Sequence, residues 1–98
     1  MPGRRTFPPP PSANDVAVEQ EQVIKAFGVH LRALRHARSL TIEAVAETAG
    51  LHPNYLGSVE RGERNLSLFN IWRIAAALKV PATELLEQLP HGDFAASA

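Results

Sequence analysis

Leu40-Thr41-Ile42-Glu43-Ala44-Val45-Ala46-Glu47-Thr48-Ala49-Gly50-Leu51-His52-Pro53-Asn54-Tyr55-Leu56-Gly57-Ser58-Val59-Glu60-Arg61-Gly62 reads as two short helices meeting at a glycine turn. Thr41 is a good N-cap for the first of them, with Glu43 favourably placed near the positive end of the helix dipole. Ala46 is small where two helices would cross closely. Gly50 can adopt the left-handed conformation that ends a helix. Pro53 suits the first turn of the next helix, because its missing N–H would have no partner there anyway. Leu56 and Val59 then turn that helix toward a core and leave Asn54 and Ser58 on its polar face. The pattern predicts a helix-turn-helix over about residues 41–60, and with it sequence-specific binding of double-stranded DNA.

Around this stretch the rest of the chain reads as helix. Val23, Ile24, Phe27, Leu31 and Leu34 share one face of a first helix expected over residues 20–38, with Ser12 and Asp15, or Asn14, as signals for an earlier start. Gly28 inside it costs roughly 1 kcal/mol relative to alanine. Ser67 caps a fourth helix over 68–79, with an inward stripe of Leu68, Ile71, Ile74, Ala75 and Leu78. Pro81 opens a last short helix over 82–88 that carries Leu85, Leu86 and, just beyond it, Leu89. No segment alternates as a strand does. The expected architecture is all-α with five helices: a flexible Pro-rich arm over 1–19, a folded domain over 20–90 and a tail over 91–98.

Composition narrows the class. Five of the eight prolines fall within the first eleven residues (Pro2, Pro8, Pro9, Pro10 and Pro11), which favours an extended arm. A folded part of about 70 residues can bury one modest core, a size at which oligomerisation often adds stability. The absence of cysteine removes disulfides and thiolate metal sites. With neither an apolar run of membrane-spanning length nor a signal-peptide core, the expectation is a soluble cytoplasmic protein with no membrane partner. Ten basic and ten acidic residues cancel, yet they are segregated. Lys25, Arg32, Arg35 and Arg38 stand against Glu21 alone in residues 20–38, whereas Glu84, Glu87 and Asp93 have no basic neighbour after residue 80. Docking depends on the local potential, so a neutral total is compatible with DNA.

The series Leu31, Leu34-Arg35, Leu40-Thr41, Glu43, Val45-Ala46, Ala49-Gly50-Leu51, Tyr55-Leu56, Val59-Glu60-Arg61-Gly62, Ile74-Ala75, Ala77-Leu78-Lys79-Val80 and Leu85-Leu86 resembles the lambda-repressor-like, XRE-type helix-turn-helix family. The match runs without a gap over about residues 25–89. Within that family, Tyr55-Leu56 followed by Glu60-Arg61-Gly62-Glu63-Arg64-Asn65-Leu66-Ser67-Leu68 is most similar to controller proteins of restriction–modification systems. The resemblance implies that the third helix enters the major groove and reads bases with Pro53, Asn54, Tyr55 and Ser58. Asn54 has the chemistry for a bidentate contact with adenine, and Ser58 can donate or accept. Phosphate contacts would come from Thr41, Arg38, Arg61, Arg64, Asn65, Ser67 and Asn70. Arg35 and Glu60 occupy positions that pair in relatives. Each adjoins a core residue (Leu34 and Val59), where a partly buried charge needs a partner. Two positions depart from the pattern. Pro53 and Ile42 stand where relatives keep polar contacts to bases and to phosphate.

Other chemistries are poorly represented. His30, His36, His52 and His91 never fall three or four apart, so no metal site is expected. Ser58 lacks the flanking glycines of a nucleophile elbow, no glycine-rich phosphate loop occurs, and neither an enzyme nor a cofactor is expected. No small-molecule ligand is evident. Arg61 and Arg64 alternate with Glu60 and Glu63, so a salt-bridged surface loop is the rival reading of that segment. Trp72, Leu85, Leu86, Leu89 and Phe94 supply more apolar surface than one short helix needs, which predicts a homodimer interface. The expected function is a transcriptional regulator binding a near-palindromic operator as a homodimer, with control of its own gene as one role that fits. The alternatives are an antitoxin or phage-type repressor of the same fold, or an interaction module that has lost its operator.

Overall fold

A computed structural model of the chain describes residues 9–10 and 12–90. Arg4, Arg5, Phe94 and the remainder of the two terminal segments lie outside the described residues, and with them part of the predicted arm and interface. Within the described residues five helices follow one another: α1 (Ala13–Ala37), α2 (Ile42–Ala49), α3 (Pro53–Glu60), α4 (Leu68–Leu78) and α5 (Ala82–Leu86). There is no strand among the described residues.

Local signals set the helix ends. The hydroxyls of Ser12, Thr41 and Ser67 accept from the backbone N–H of Asp15, Ala44 and Asn70, each at 3.1 Å. Each satisfies one donor that an isolated helix start leaves unpaired. Gly50 ends α2 in the left-handed region at φ 71°, and its N–H returns to the Glu47 carbonyl. Lys79 ends α4 in the same conformation at φ 59°, one residue earlier than the sequence pattern suggests.

All five helices contribute to one core. Phe27 and Leu31 come from α1, Val45 and Ala46 from α2, and Leu56 and Val59 from α3. Ile74, Ala75 and Leu78 of α4 and Leu85 of α5 complete it. α2 packs on α3 and α4, while α1 lies across α3 and α5. A Cβ placed on Gly28 would stand 2.5 Å from the Val59 carbonyl oxygen and 2.6 Å from that of Glu60. The backbone of α1 therefore rests directly on the C-terminal turn of α3, and this fixes the height of α3 against α1. His30 Nε2 donates to the Glu84 carbonyl at 2.7 Å and ties α1 to α5.

Three expectations need correction. The first helix starts at Ala13, the earlier start that Ser12 and Asp15 signal, rather than at residue 20. Its opening ten residues are all exposed, so an apolar stripe could not reveal them; the Ser12 cap, Asp15 in the first turn and the good helix formers Glu19-Gln20-Glu21-Gln22 sustain that end. Leu68 is 79% exposed and does not belong to the inward stripe of α4. Side chains lean toward the N-terminus of their helix, so a residue at the first position lies over the preceding loop rather than over a neighbouring helix. The last helix closes at Leu86 instead of residue 88.

Candidate nucleic-acid interface

The surface built by α3, the following loop and the first turn of α4 gathers most of the predicted contact residues. α3 begins unusually: His52 is its N-cap, and the imidazole Nδ1 accepts from the Asn54 N–H at 3.0 Å. Pro53 occupies the first helical position and is half-buried. Asn54 projects into solvent at the N-terminal edge of the helix. Tyr55 packs its ring against the core margin while its hydroxyl accepts from Asn70 Nδ2 at 3.2 Å, linking α3 to α4.

Ser58 departs from expectation. It is only 3% exposed, its hydroxyl donates to the Tyr55 carbonyl at 2.6 Å, and the same oxygen accepts from Arg64 Nε at 3.2 Å. With its proton committed to Tyr55 and its surface covered, Ser58 is not available to read a base edge. It seats Arg64, which the loop folds back over α3.

The loop supplies the charge. The guanidinium of Arg61 forms a fork with Glu63, Nε to Oε2 at 3.0 Å and Nη2 to Oε1 at 3.3 Å. This holds the Glu63 carboxyl below its ordinary range and raises Arg61 further, in both cases chiefly through the hydrogen bond between them. The salt-bridged reading of this segment thus describes Arg61, whereas Arg64 is held by a hydroxyl. Asn65 is exposed beside them. Thr41 and Ser67 spend their hydroxyls on helix caps. Arg38 sits apart from the group: Nε donates to the Leu78 carbonyl at 3.2 Å and Nη1 to that of Leu34 at 3.3 Å. It joins the C-terminal ends of α1 and α4, away from the loop that carries Arg61 and Arg64.

Beneath this surface Arg35 and Glu60 are joined. Arg35 Nε and Nη2 donate to the two Glu60 oxygens at 2.6 and 2.9 Å, and Nη1 donates to the Leu40 carbonyl at 2.9 Å. Their side chains are only 9% and 5% exposed. The hydrogen bond to Glu60 is the main cause of the raised Arg35 pKa, working against desolvation. No buried side-chain polar atom is left without a partner among the described residues. The pair locks the C-terminal end of α3 to the last turns of α1.

The predicted interface residues divide. Leu85 is fully buried and belongs to the core, because α5 turns it toward α1 and α4; Leu89 packs against the core margin. Trp72 is 58% exposed and stacks on Phe69 at 6.0 Å with the rings 10° apart. Leu86 is also exposed. Sequence reasoning missed Phe69 and Arg73. The Arg73 guanidinium lies 5.2 Å over the Phe69 ring and fills the space beside Gly50, at the negative end of the α2 dipole. The four-residue spacing of Phe69 and Arg73 on one helix face was the available signal.

Comparison with known proteins agrees with this architecture. The control protein C.SmaI of Serratia marcescens is 42% identical over 57 residues, spanning 58% of this chain and 68% of its own. The control protein C.BamHI of Bacillus amyloliquefaciens is 40% identical over 62 residues, covering 62% of this chain and 76% of its own. The crystal structure of the restriction–modification controller protein C.AhdI from Aeromonas hydrophila superposes with a TM-score of 0.63 at 47% identity, over 63% of this chain and 94% of that one. Residues 31–85 match the helix-turn-helix family HTH_3, and the chain belongs to that family.

Proposed function

We propose that the protein is a DNA-binding transcriptional regulator that docks α3 in the major groove of a near-palindromic operator as a homodimer. The observation that carries this reading is the convergence of Asn54, Arg61, Arg64 and Asn65 on one exposed surface, built on a helix-turn-helix whose base is locked by Arg35 and Glu60. Asn54 reads a base edge, with apolar contacts from Pro53 and the rim of Tyr55. Arg61, Arg64, Asn65 and the first turn of α4 around Ser67 and Asn70 hold phosphates and set the register. These contacts amount to recognition, and the relatives named above are control proteins, so the chemistry is binding rather than catalysis.

Dimerisation rests on the face of α4. Leu68, Phe69 and Trp72 together expose apolar surface on the order of 400 Å², given side chains of roughly 150–250 Å². That is a contiguous patch of the size that marks an interaction site, and about half of what each partner buries in an ordinary interface. Two copies joined symmetrically would set their recognition helices about 34 Å apart, one turn of DNA. The likeness to control proteins supports a regulator that acts on its own gene.

A salt titration on duplex DNA tests the reading. Affinity must fall steeply as salt rises, and a duplex selected from a random pool must bind far more tightly than random sequence. A folded protein with no duplex binding at low salt refutes it.

A further inference from the structure

The α3–α4 loop carries one feature that DNA binding does not ask for. Among residues 61–67 Glu63 is the only acid, and it stands beside Arg61 and Arg64 on the surface assigned to phosphate. Its backbone N–H donates to the Ser58 carbonyl at 3.0 Å, so its position is tied to α3. Its carboxylate engages Arg61 in two parallel hydrogen bonds, the geometry a guanidinium also offers a phosphate. Both side chains are well exposed, and an exposed pair of this kind adds little to folding stability. Holding the fold together therefore does not account for it.

The resting place of Arg61 is built as well. A Cβ on Gly57 would lie 3.3 Å from Arg61 Nη1 and 3.9 Å from Ile42 Cδ1. The guanidinium occupies the space that Gly57 leaves on the flank of α3, next to the first residue of α2. Glu60, the nearest other acid in sequence, is consumed by Arg35. Glu63 is thus the counter-ion that decides whether Arg61 is free.

We propose that Glu63 is a built-in competitor for the DNA backbone: it stores Arg61 over Gly57 in the free protein and must be displaced by a phosphate on docking. This inference rests on the DNA-binding reading above. Its consequence is a regulator whose sequence-independent affinity is held down, so that fewer molecules are detained on non-operator DNA. The competition acts on a backbone contact, so it lowers binding to every sequence by the same factor.

The test is a fluorescence-anisotropy comparison of the full chain with E63Q, R61Q and the double variant. The probes are a random-sequence duplex and the duplex that the unaltered protein selects from a random pool. E63Q should bind both about three- to tenfold more tightly at low salt. The slope of log affinity against log salt should change little, because Arg61 reaches a phosphate in both complexes once Glu63 is displaced. The gain should vanish in the R61Q background. Unchanged or weaker binding by E63Q overturns the proposal, as does a gain that persists without Arg61 or one confined to the selected duplex. If the unaltered protein itself binds no duplex, the DNA-binding reading falls; if it binds and E63Q behaves identically, only the role of Glu63 falls.

Discussion

Replacing Gly28 by alanine sets two effects of opposite sign against each other. In a helix interior alanine is preferred over glycine by about 1 kcal/mol, so G28A would stabilise an open position. Here the added methyl would stand 2.5 Å from the Val59 carbonyl oxygen and 2.6 Å from that of Glu60, against ordinary contacts beginning at 3.4 Å. Both obstacles are backbone, and neither can rotate aside. Relief requires α1 and α3 to separate by roughly 0.9 Å, which forfeits a quarter to a half of the dispersion contact at the crossing. The loss extends to Phe27 and Leu31 against Leu56 and Val59, and it stretches the Arg35–Glu60 pair. Overpacking of this kind costs about 1–3 kcal/mol, and more where rigid backbone is struck. We expect a net destabilisation of about 2–3 kcal/mol, equivalent to a fall of roughly 10–20 °C in Tm for a domain of this size. Thermal and urea unfolding would measure it, with V29A at an exposed position of the same helix as a control that stays within about 0.5 kcal/mol. A G28A protein as stable as the parent would refute the close crossing.

Three further outcomes follow from the same geometry. Arg35→Ala leaves Glu60 as an uncompensated buried charge and should cost about 3–5 kcal/mol, whereas combining Arg35→Met with Glu60→Leu should cost less than the sum of those two changes made singly; additive losses in urea unfolding would contradict a coupled pair. Asn54→Ala should relax preference at one base-pair position and weaken the selected duplex by about 1–3 kcal/mol with folding intact, and an unaltered binding profile would remove Asn54 from the reading set. Trp72→Ser should shift the protein toward monomer in sedimentation velocity while its helical ellipticity is retained; a dimer of undiminished affinity would place the interface elsewhere.

The helix-turn-helix is legible in the sequence because its determinants are local. Thr41, Gly50 and Pro53 each act through their own backbone neighbourhood, and α2 begins and ends, and α3 begins, where those residues place them. The pairing of Arg35 with Glu60 is what the family resemblance implies, and adjacency to a core position adds only that each charge needs a partner. What escapes depends on contacts between distant segments. Ser58 has the spacing of an exposed recognition residue, and its burial and its bond to Arg64 appear only once the loop has folded back over α3. Leu85 is apolar at the end of the chain, and nothing in its spacing distinguishes core from interface; the approach of α1 and α4 decides. Gly28 reads as a helix defect because a close backbone crossing leaves no apolar signature. His52 gives no capping signal because imidazole is not among the usual capping groups, although its Nδ1 can accept a hydrogen bond as a carboxylate oxygen does.

The projecting start of α1 bears on how this protein's stability is measured. From Ala13 to Gln22 every residue is exposed, so ten of the helix's 25 residues rest on the Ser12 cap and intrinsic propensity rather than on the core. Amide hydrogens there should exchange through local fraying at almost no free-energy cost, while those around Leu31 wait for global opening. Far-ultraviolet ellipticity adds the two populations together and will slope before the cooperative transition begins. Residue-resolved exchange would separate them, and the boundary between fast and slow amides should fall at Val23 and Ile24, where α1 first meets the body of the protein.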